Sequence, residues 1–253
     1  MKFEIADKTK AELFVNLFLN LKLITENVNL EFLENGLYVQ GMDNSQICIY
    51  DLNIDKDWFS QYEHTENSNF GVNMIILAKI LNIRNDNQKI TVYDENDKLS
   101  IEFESEEKNE INKYFEICLL EIEQDKMHIP TSEYDINIQF NSKTFKNIIS
   151  ELSVFSDVVN IYYDDNVYMH AKSIESSMKV ELQEENVEEL TMTEEGEATN
   201  IEFSLKYIYI FSQFHKLDEL VNLHISPNIP IKVNYNFDEK SYCNFYLAPK
   251  ISD

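Results

Sequence analysis

Glycine and proline are scarce, four of each in 253 residues, which excludes collagen-like, low-complexity and linker-rich architectures. The glycines stand at 36, 41, 71 and 196, a spacing that cannot build a phosphate-cradling loop or a dinucleotide fingerprint. The three cysteines, Cys48, Cys118 and Cys243, are odd in number and far apart. They form neither a disulfide framework nor a zinc knuckle, and a reducing intracellular compartment fits them. The five histidines lack metal-ligand spacing, and no serine or cysteine stands in a nucleophile motif. Carboxylate pairs such as Glu106–Glu107 and Glu188–Glu189 are what 46 acids produce by chance. The sequence therefore predicts no enzyme, no metal and no cofactor. Positive charge is short as well: 21 Lys plus Arg against 46 Asp plus Glu leave a net charge of −25, and Arg84 is the one arginine. No apolar run reaches the length of a membrane-spanning helix. The opening MKFEIADKTK carries charges where a signal peptide needs an apolar stretch, so secretion is not expected.

What is present is enough for a core: 43% of residues are hydrophobic, and the length suits one large domain or two modest ones. Lysine, asparagine, isoleucine and tyrosine abound, which reads as an AT-rich genome. Strand patterns with period-two alternation run over Phe3–Ala6, Val28–Leu33, Gly36–Gly41, Ile47–Ile54, Lys89–Tyr93, Lys98–Glu104 and Lys113–Leu120. Helical spacing appears at Lys8–Ile24, with Leu13, Phe14, Leu17, Phe18, Leu21 and Ile24 on one broad face, and at Asn73–Ile83. The second half repeats the plan, with helices at Ser142–Phe155 and Ser204–Phe214 and the strand Asn166–Ala171 echoing Gly36–Gly41. The spacing predicts one β-rich unit with two helices, used twice with a period of roughly 130 residues. Between the halves, Leu120–Glu133 reads as an extended connector, because Pro130 cannot continue a ladder. Glu184–Glu197 reads as a solvated acidic loop.

The C-terminal FYLAPKISD is the most specific segment, with Tyr246-Leu247-Ala248-Pro249-Lys250 at its centre. With it stand LYVQGMDNSQICIY (Leu37–Tyr50), GVN (Gly71–Asn73) with an AKIL helix, IPTSEY (Ile129–Tyr134) and FSLKYIYIF (Phe203–Phe211). By these motifs, in order over the whole chain, the sequence resembles the eukaryotic-type sliding clamp family, proliferating cell nuclear antigen. The resemblance implies an α+β chain of two similar β-rich domains, each with two helices, which is the DNA clamp fold. The domains would be 1–118 and 136–253 with a connector at 119–135. Three chains would close head to tail into a homotrimer whose helices line a central hole around duplex DNA. The resemblance places Lys22, Lys79, Arg84, Lys143, Lys146, Lys206 and Lys216 toward the DNA. Asn16, Asn82, Asn147, Ser150 and Gln213 stand where further bases are usual, so the lining is thinner in charge. The joining edges would be Asn109–Ile117 of one chain and Met178–Leu182 of the next, with Ile111, Phe115 and Ile117 facing Met178, Val180 and Leu182.

The same resemblance implies a cup that receives a partner motif, Gln-x-x-aliphatic-x-x-aromatic-aromatic. The matched positions are Met42, Gln46, Ile47, Ile49, Met127, Ile129, Pro130, Tyr134, Pro230, Tyr246, Leu247, Ala248 and Pro249. Gln46 replaces a frequent histidine, and His128 replaces a glycine. No lysine stands at Tyr163-Asp164-Asp165, so the family's ubiquitin and SUMO acceptor is not carried over. The expected function is a polymerase processivity factor that encircles duplex DNA without sequence preference. The implied partners are the replicative polymerase, the clamp-loader ATPase, flap nuclease and ligase, in the nucleus or, for a viral member, a cytoplasmic replication factory. The alternatives are a subunit of a heterotrimeric checkpoint-type clamp and a clamp coupling viral transcription to DNA. Outside the fold stand an acidic enzyme and a DNA mimic, and the lysines on the helices argue against the mimic.

Overall fold

The computed structural model describes residues 1–66, 68–123, 126–164, 166–192 and 200–250. These fold as two compact units. The first comprises Met1–Asn44, Tyr50–Met127 and Asp238–Tyr242, and the second Ser45–Ile49, His128–Phe237 and Cys243–Asp253. In chain order the first half forms β1 (Lys2–Ile5), α1 (Lys8–Leu21), β2 (Asn27–Leu33), β3 (Gly36–Met42), β4 (Cys48–Asp55), β5 (Gln61–Glu63), β6 (Ser68–Asn73), α2 (Met74–Leu81), β7 (Lys89–Glu95), β8 (Lys98–Glu104) and β9 (Lys113–Cys118). The second half forms β10 (Ile136–Asn141), α3 (Ser142–Leu152), β11 (Val158–Asp164), β12 (Asn166–Lys172), β13 (Ser177–Leu182), β14 (Glu189–Met192), β15 (Ile201–Ser204), α4 (Leu205–Ser212), β16 (Leu220–Ile225), β17 (Ile231–Asn236) and β18 (Tyr242–Leu247).

The hydrogen-bonded strand orders make the internal repeat explicit. In the first half they run β5-β1-β7-β8-β9 and β4-β3-β2-β6. In the second they run β14-β10-β16-β17-β18 and β13-β12-β11-β15, the same two orders shifted by nine strands. In each half the two helices pack on each other, α1 on α2 and α3 on α4. The helices begin where a short polar side chain can satisfy first-turn amides. Asp7 accepts from Lys10 N at 2.8 Å, and Asn141 accepts from Lys143 N at 3.1 Å. Asn73 caps α2 by accepting from Ile75 N and Ile76 N, so that helix starts one residue later than its apolar spacing predicts.

The helices also end two or three residues earlier than the spacing predicts. With so few glycines no left-handed cap closes them, and each runs out through i→i−3 bonds instead. Examples are Ile24 N to Leu21 O at 2.9 Å, Phe155 N to Leu152 O at 3.0 Å and Phe214 N to Phe211 O at 3.1 Å. The apolar periodicity persists through these tighter turns, which is why the sequence reads them as helix.

Aromatic side chains fill both cores. Phe3 lies 5.8 Å from Phe14 and 4.7 Å from Phe59 in the first unit. In the second, Phe245 stacks on Phe211 and tilts against Phe214, each at 4.7 Å, while Tyr235 donates its buried hydroxyl to Phe211 O at 3.0 Å. Gly36 opens β3 at φ +141°, and a Cβ there would lie 2.1 Å from Ile54 O. Two expectations change. Lys113–Leu120 is a strand only to Cys118, because Leu120 leaves the ladder to bridge Gly71. Glu184–Glu197 is not all loop: Glu189–Met192 pairs with β10 as an edge strand, with Leu190 and Met192 half-buried by alternation. Thr193–Glu197 of that segment, Gln124–Asp125 of the connector, Asp165 and the closing Ile251–Asp253 lie outside the described residues.

Candidate functional site

The residues singled out from sequence fall into three sets. The first is the helical one. Six of the 21 basic residues and two of the 46 acids fall within the four α-helices, leaving 44 acids against 15 bases elsewhere. Each helix buries an apolar stripe: Lys8, Lys79, Lys143 and Lys206 are exposed and Lys146 is half-buried, while Lys10 of α1 is half-buried and donates to Trp58 O at 2.8 Å. Lys22 is the exposed C-cap of α1, Arg84 follows α2, and Lys216 follows α4. Arg84 is half-buried and donates to Asn85 O at 2.7 Å. Burial holds its pKa below the ordinary arginine value, against the charges of Asp86 and Glu12, and it remains a cation. His215 is pushed down, first by burial and then by the charge of Lys146, in keeping with the packing of α4 on α3. Asn82, Asn147 and Gln213 share these faces without adding charge.

The second set lies on a pair of sheet edges. β9 and β13 each end the strand order of their sheet. Ile111 is 77% exposed before β9, where Gln88 Nε2 fixes its carbonyl at 2.8 Å. Phe115, Met178 and Val180 are half-buried. Ile117 and Leu182 are each 2% exposed, so their side chains serve the chain's own core. Tyr114, 61% exposed on β9, was not among the residues read from sequence.

The third set, the docking positions, is divided between the two units. In the first unit are Met42 at the end of β3 and Met127 in the middle of the connector, both half-buried. In the second, Gln46 adopts φ 58°, a left-handed turn that exposes it and Ile47, and Ile47 O accepts from Ala248 N at 3.0 Å. Ile49, Ile129, Tyr134, Tyr246, Ala248 and Pro249 are half-buried, and Pro130 and Pro230 are exposed. Leu247 is fully buried and offers no side-chain surface. Tyr134 packs at 5.4 Å on His224, whose Nδ1 lies 2.7 Å from Asn137 Oδ1. Lys232 Nζ lies 6.0 Å over the Tyr246 ring. Burial, then the charge of Lys232, lowers the His224 pKa to about 4. Sequence reading missed His224 and Lys232. Their signal is weak, since each reads as an ordinary residue of a half-exposed strand.

Two family models cover the chain: proliferating cell nuclear antigen, N-terminal domain, over residues 3–128, and proliferating cell nuclear antigen, C-terminal domain, over residues 128–250. Their border falls where the two units part, between Met127 and His128. The chain is 32% identical over 240 residues to proliferating cell nuclear antigen of Chaetomium thermophilum, covering 92% of each chain. It is 30% identical over 257 residues to proliferating cell nuclear antigen 2 of Plasmodium falciparum, covering 96% of this chain and 97% of that one. Among solved structures, a PCNA2–PCNA3 complex from Sulfolobus tokodaii matches with a TM-score of 0.88 at 22% identity over 99% of each chain, a likeness of fold.

Proposed function

This chain belongs to the proliferating cell nuclear antigen family and is a DNA sliding clamp, and from that premise we propose that it works as a homotrimeric ring. Its domains are 1–118 and 136–253, with 119–135 as connector. Lys22, Lys79, Arg84, Lys143, Lys146, Lys206 and Lys216 face the duplex. The observation that carries this reading is the segregation of charge, with bases outnumbering acids on the helices of a chain whose net charge is −25. Affinity for DNA ordinarily comes from neutralised phosphates, and this chain has few cations to spend. A closed ring needs little affinity, because topology holds it on the duplex, and an acidic exterior discourages binding anywhere but the hole. Pairing of edge β9 with the neighbour's β13 removes two exposed edges, with Ile111, Phe115, Met178 and Val180 beside the ladder and Ile117 and Leu182 beneath it.

The docking positions serve the replicative polymerase, the loader ATPase, flap nuclease and ligase through the motif Gln-x-x-aliphatic-x-x-aromatic-aromatic. The protein performs no chemistry of its own, takes no cofactor, and works in the nucleus or, for a viral member, in a cytoplasmic replication factory. The family matches do not favour the heterotrimeric or transcription-coupled alternatives. Changing Lys22, Lys79, Lys146 and Lys206 together to Ala lowers the salt dependence of weak binding to short duplex, because fewer counterions are released. Light scattering checks in the same samples that the mass stays three times 29.9 kDa. An unchanged salt slope would remove these lysines from the DNA face.

A further inference from the structure

The connector is fastened along β2, β3 and β6. Leu120 N–H donates to Gly71 O at 2.8 Å, and a Cβ at Gly71 would lie 2.2 Å from Leu120 O, so glycine is what admits the connector there. Asn29 Nδ2 donates to Ile122 O at 3.2 Å. Lys126 pairs with Glu31 at 2.5 Å and lies 5.3 Å over the Tyr38 ring. At the end of this stretch Gln40 closes both polar groups of one peptide unit. Its Nε2 donates to Met127 O at 3.1 Å, and Met127 N–H donates to its Oε1 at 2.9 Å. Gln40 is 6% exposed. Beyond Met127 the fastening stops. From His128 to Glu133 no hydrogen bond forms among the described residues, and the next are Asn137 Nδ2 to Tyr134 O at 3.4 Å and Asp135 N to Ser226 Oγ at 2.7 Å.

We propose that Gln40 is a positioning residue for partner docking: its clip on Met127 fixes where the open peptide groups of His128–Glu133 are offered to an incoming chain. The inference rests on the docking reading above. A side-chain amide mimics one rung of a β-ladder, with one donor and one acceptor at fixed spacing. Glutamate keeps the acceptor and loses the donor, and methionine of similar length has neither. Without the clip the connector moves more freely, and the partner must order it on binding, so affinity falls.

The test uses the full chain and a synthetic peptide carrying the docking motif. In Gln40→Met, hydrogen exchange at the Met127 amide accelerates more than tenfold, peptide affinity falls about fivefold to tenfold, and the trimer mass is unchanged. Gln40→Glu also weakens binding at pH 7.5, and the loss shrinks as the pH falls toward 5, where burial favours the protonated carboxyl and restores a donor; wild type titrated in parallel removes the contribution of other groups. Gln40→Glu also serves if Gln40→Met does not fold. Faster Met127 exchange with affinity within twofold of wild type, or no change in exchange, overturns the proposal. Failure of the wild-type protein to bind the peptide overturns the docking reading and the proposal with it, whatever the exchange at Met127 shows.

Discussion

The two five-stranded arrays share one strand order and fasten it with different chemistry. Across β1, β7, β8 and β9 the outward rungs are ionic. Lys89 Nζ lies 3.0 Å from Glu4 Oε2 and 3.5 Å from Glu104 Oε2, and Tyr114 donates to Glu104 Oε1 at 3.1 Å. Across β10, β16, β17 and β18 the rungs are amides. Gln139 Nε2 donates to Asn222 Oδ1 at 2.9 Å, and Asn222 Nδ2 to Asn234 Oδ1 at 3.0 Å. Asn234 Nδ2 donates to Asn236 Oδ1 at 3.0 Å and Asn244 Oδ1 at 2.8 Å. Asn234 and Asn244 are 7% and 6% exposed, whereas the Lys89 side chain is 37% exposed. Burial selects the chemistry. An uncharged amide enters a dry sheet surface at moderate cost if all its bonds are made, while an ion pair is tolerated where water still reaches it.

The contrast orders the expected effects. Asn234→Leu removes the bonds that Asn234 makes with Asn222, Asn236 and Asn244 and costs about 2–4 kcal/mol, read as a lowered urea midpoint, because each bond lost from a buried or half-buried amide costs about 1–2 kcal/mol. A cost no larger than that of breaking the ionic rung would mean the amides are not the stiffer fastening.

An intermediate effect comes from pH. His224 is packed against Tyr134 and Asn137 with Lys232 near, and its pKa falls from 6.5 to about 4 on folding. A depressed pKa contributes stability that is present above 6.5 and is lost as the pH falls from there toward 4. Discounted for partial exposure, the loss between pH 7.5 and pH 5.5 is about 1 kcal/mol, and His224→Gln removes it. His215 moves in the same direction, so a smaller residual slope persists in that variant. A full wild-type slope in His224→Gln would separate this histidine from the acid response.

The smallest effect belongs to the ionic rung. Lys89→Met costs less than about 1 kcal/mol and less again in high salt, since water and counterions already screen the pair. The bond to Glu4 raises the Lys89 pKa, so this contribution is present below the ordinary lysine value and is lost only at higher pH. Denaturation midpoints of wild type and variant at low and high salt measure it. A loss above 2 kcal/mol would mean that the ionic array depends on its charges as the amide array depends on its bonds.

Much of this molecule was legible beforehand. The twofold repeat follows from helices whose apolar stripes recur in step, and α1 begins at Lys8 as its spacing predicts, because Asp7 caps locally. The strand echo of Gly36–Gly41 in Asn166–Ala171 corresponds to β3 and β12, which hold the same place in their sheets. Less legible were the asparagines. Read as the mark of an AT-rich genome, several carry structure: Asn73 and Asn141 cap helices, and Asn222, Asn234 and Asn244 are rungs of a ladder. Ile117, Leu182 and Leu247 look like surface positions from their motifs, yet their strands turn them inward. The helix ends read long in the sequence because the apolar periodicity continues through a 3₁₀ exit.

The sequence alone determined what depends on neighbours along the chain: the alternation of strands, the stripes and caps of helices, the left-handed turn available at Gly36, and the motifs that carry the clamp resemblance. Tertiary structure decided what depends on partners far away. Gln40 and Met127 stand 87 residues apart, and Gln139 and Asn222 stand 83 apart. A side-chain amide has the same donor and acceptor wherever it sits in a sequence. Only the approach of a distant strand, and the exclusion of water that comes with it, makes one such amide a clip on the connector and another a rung between strands.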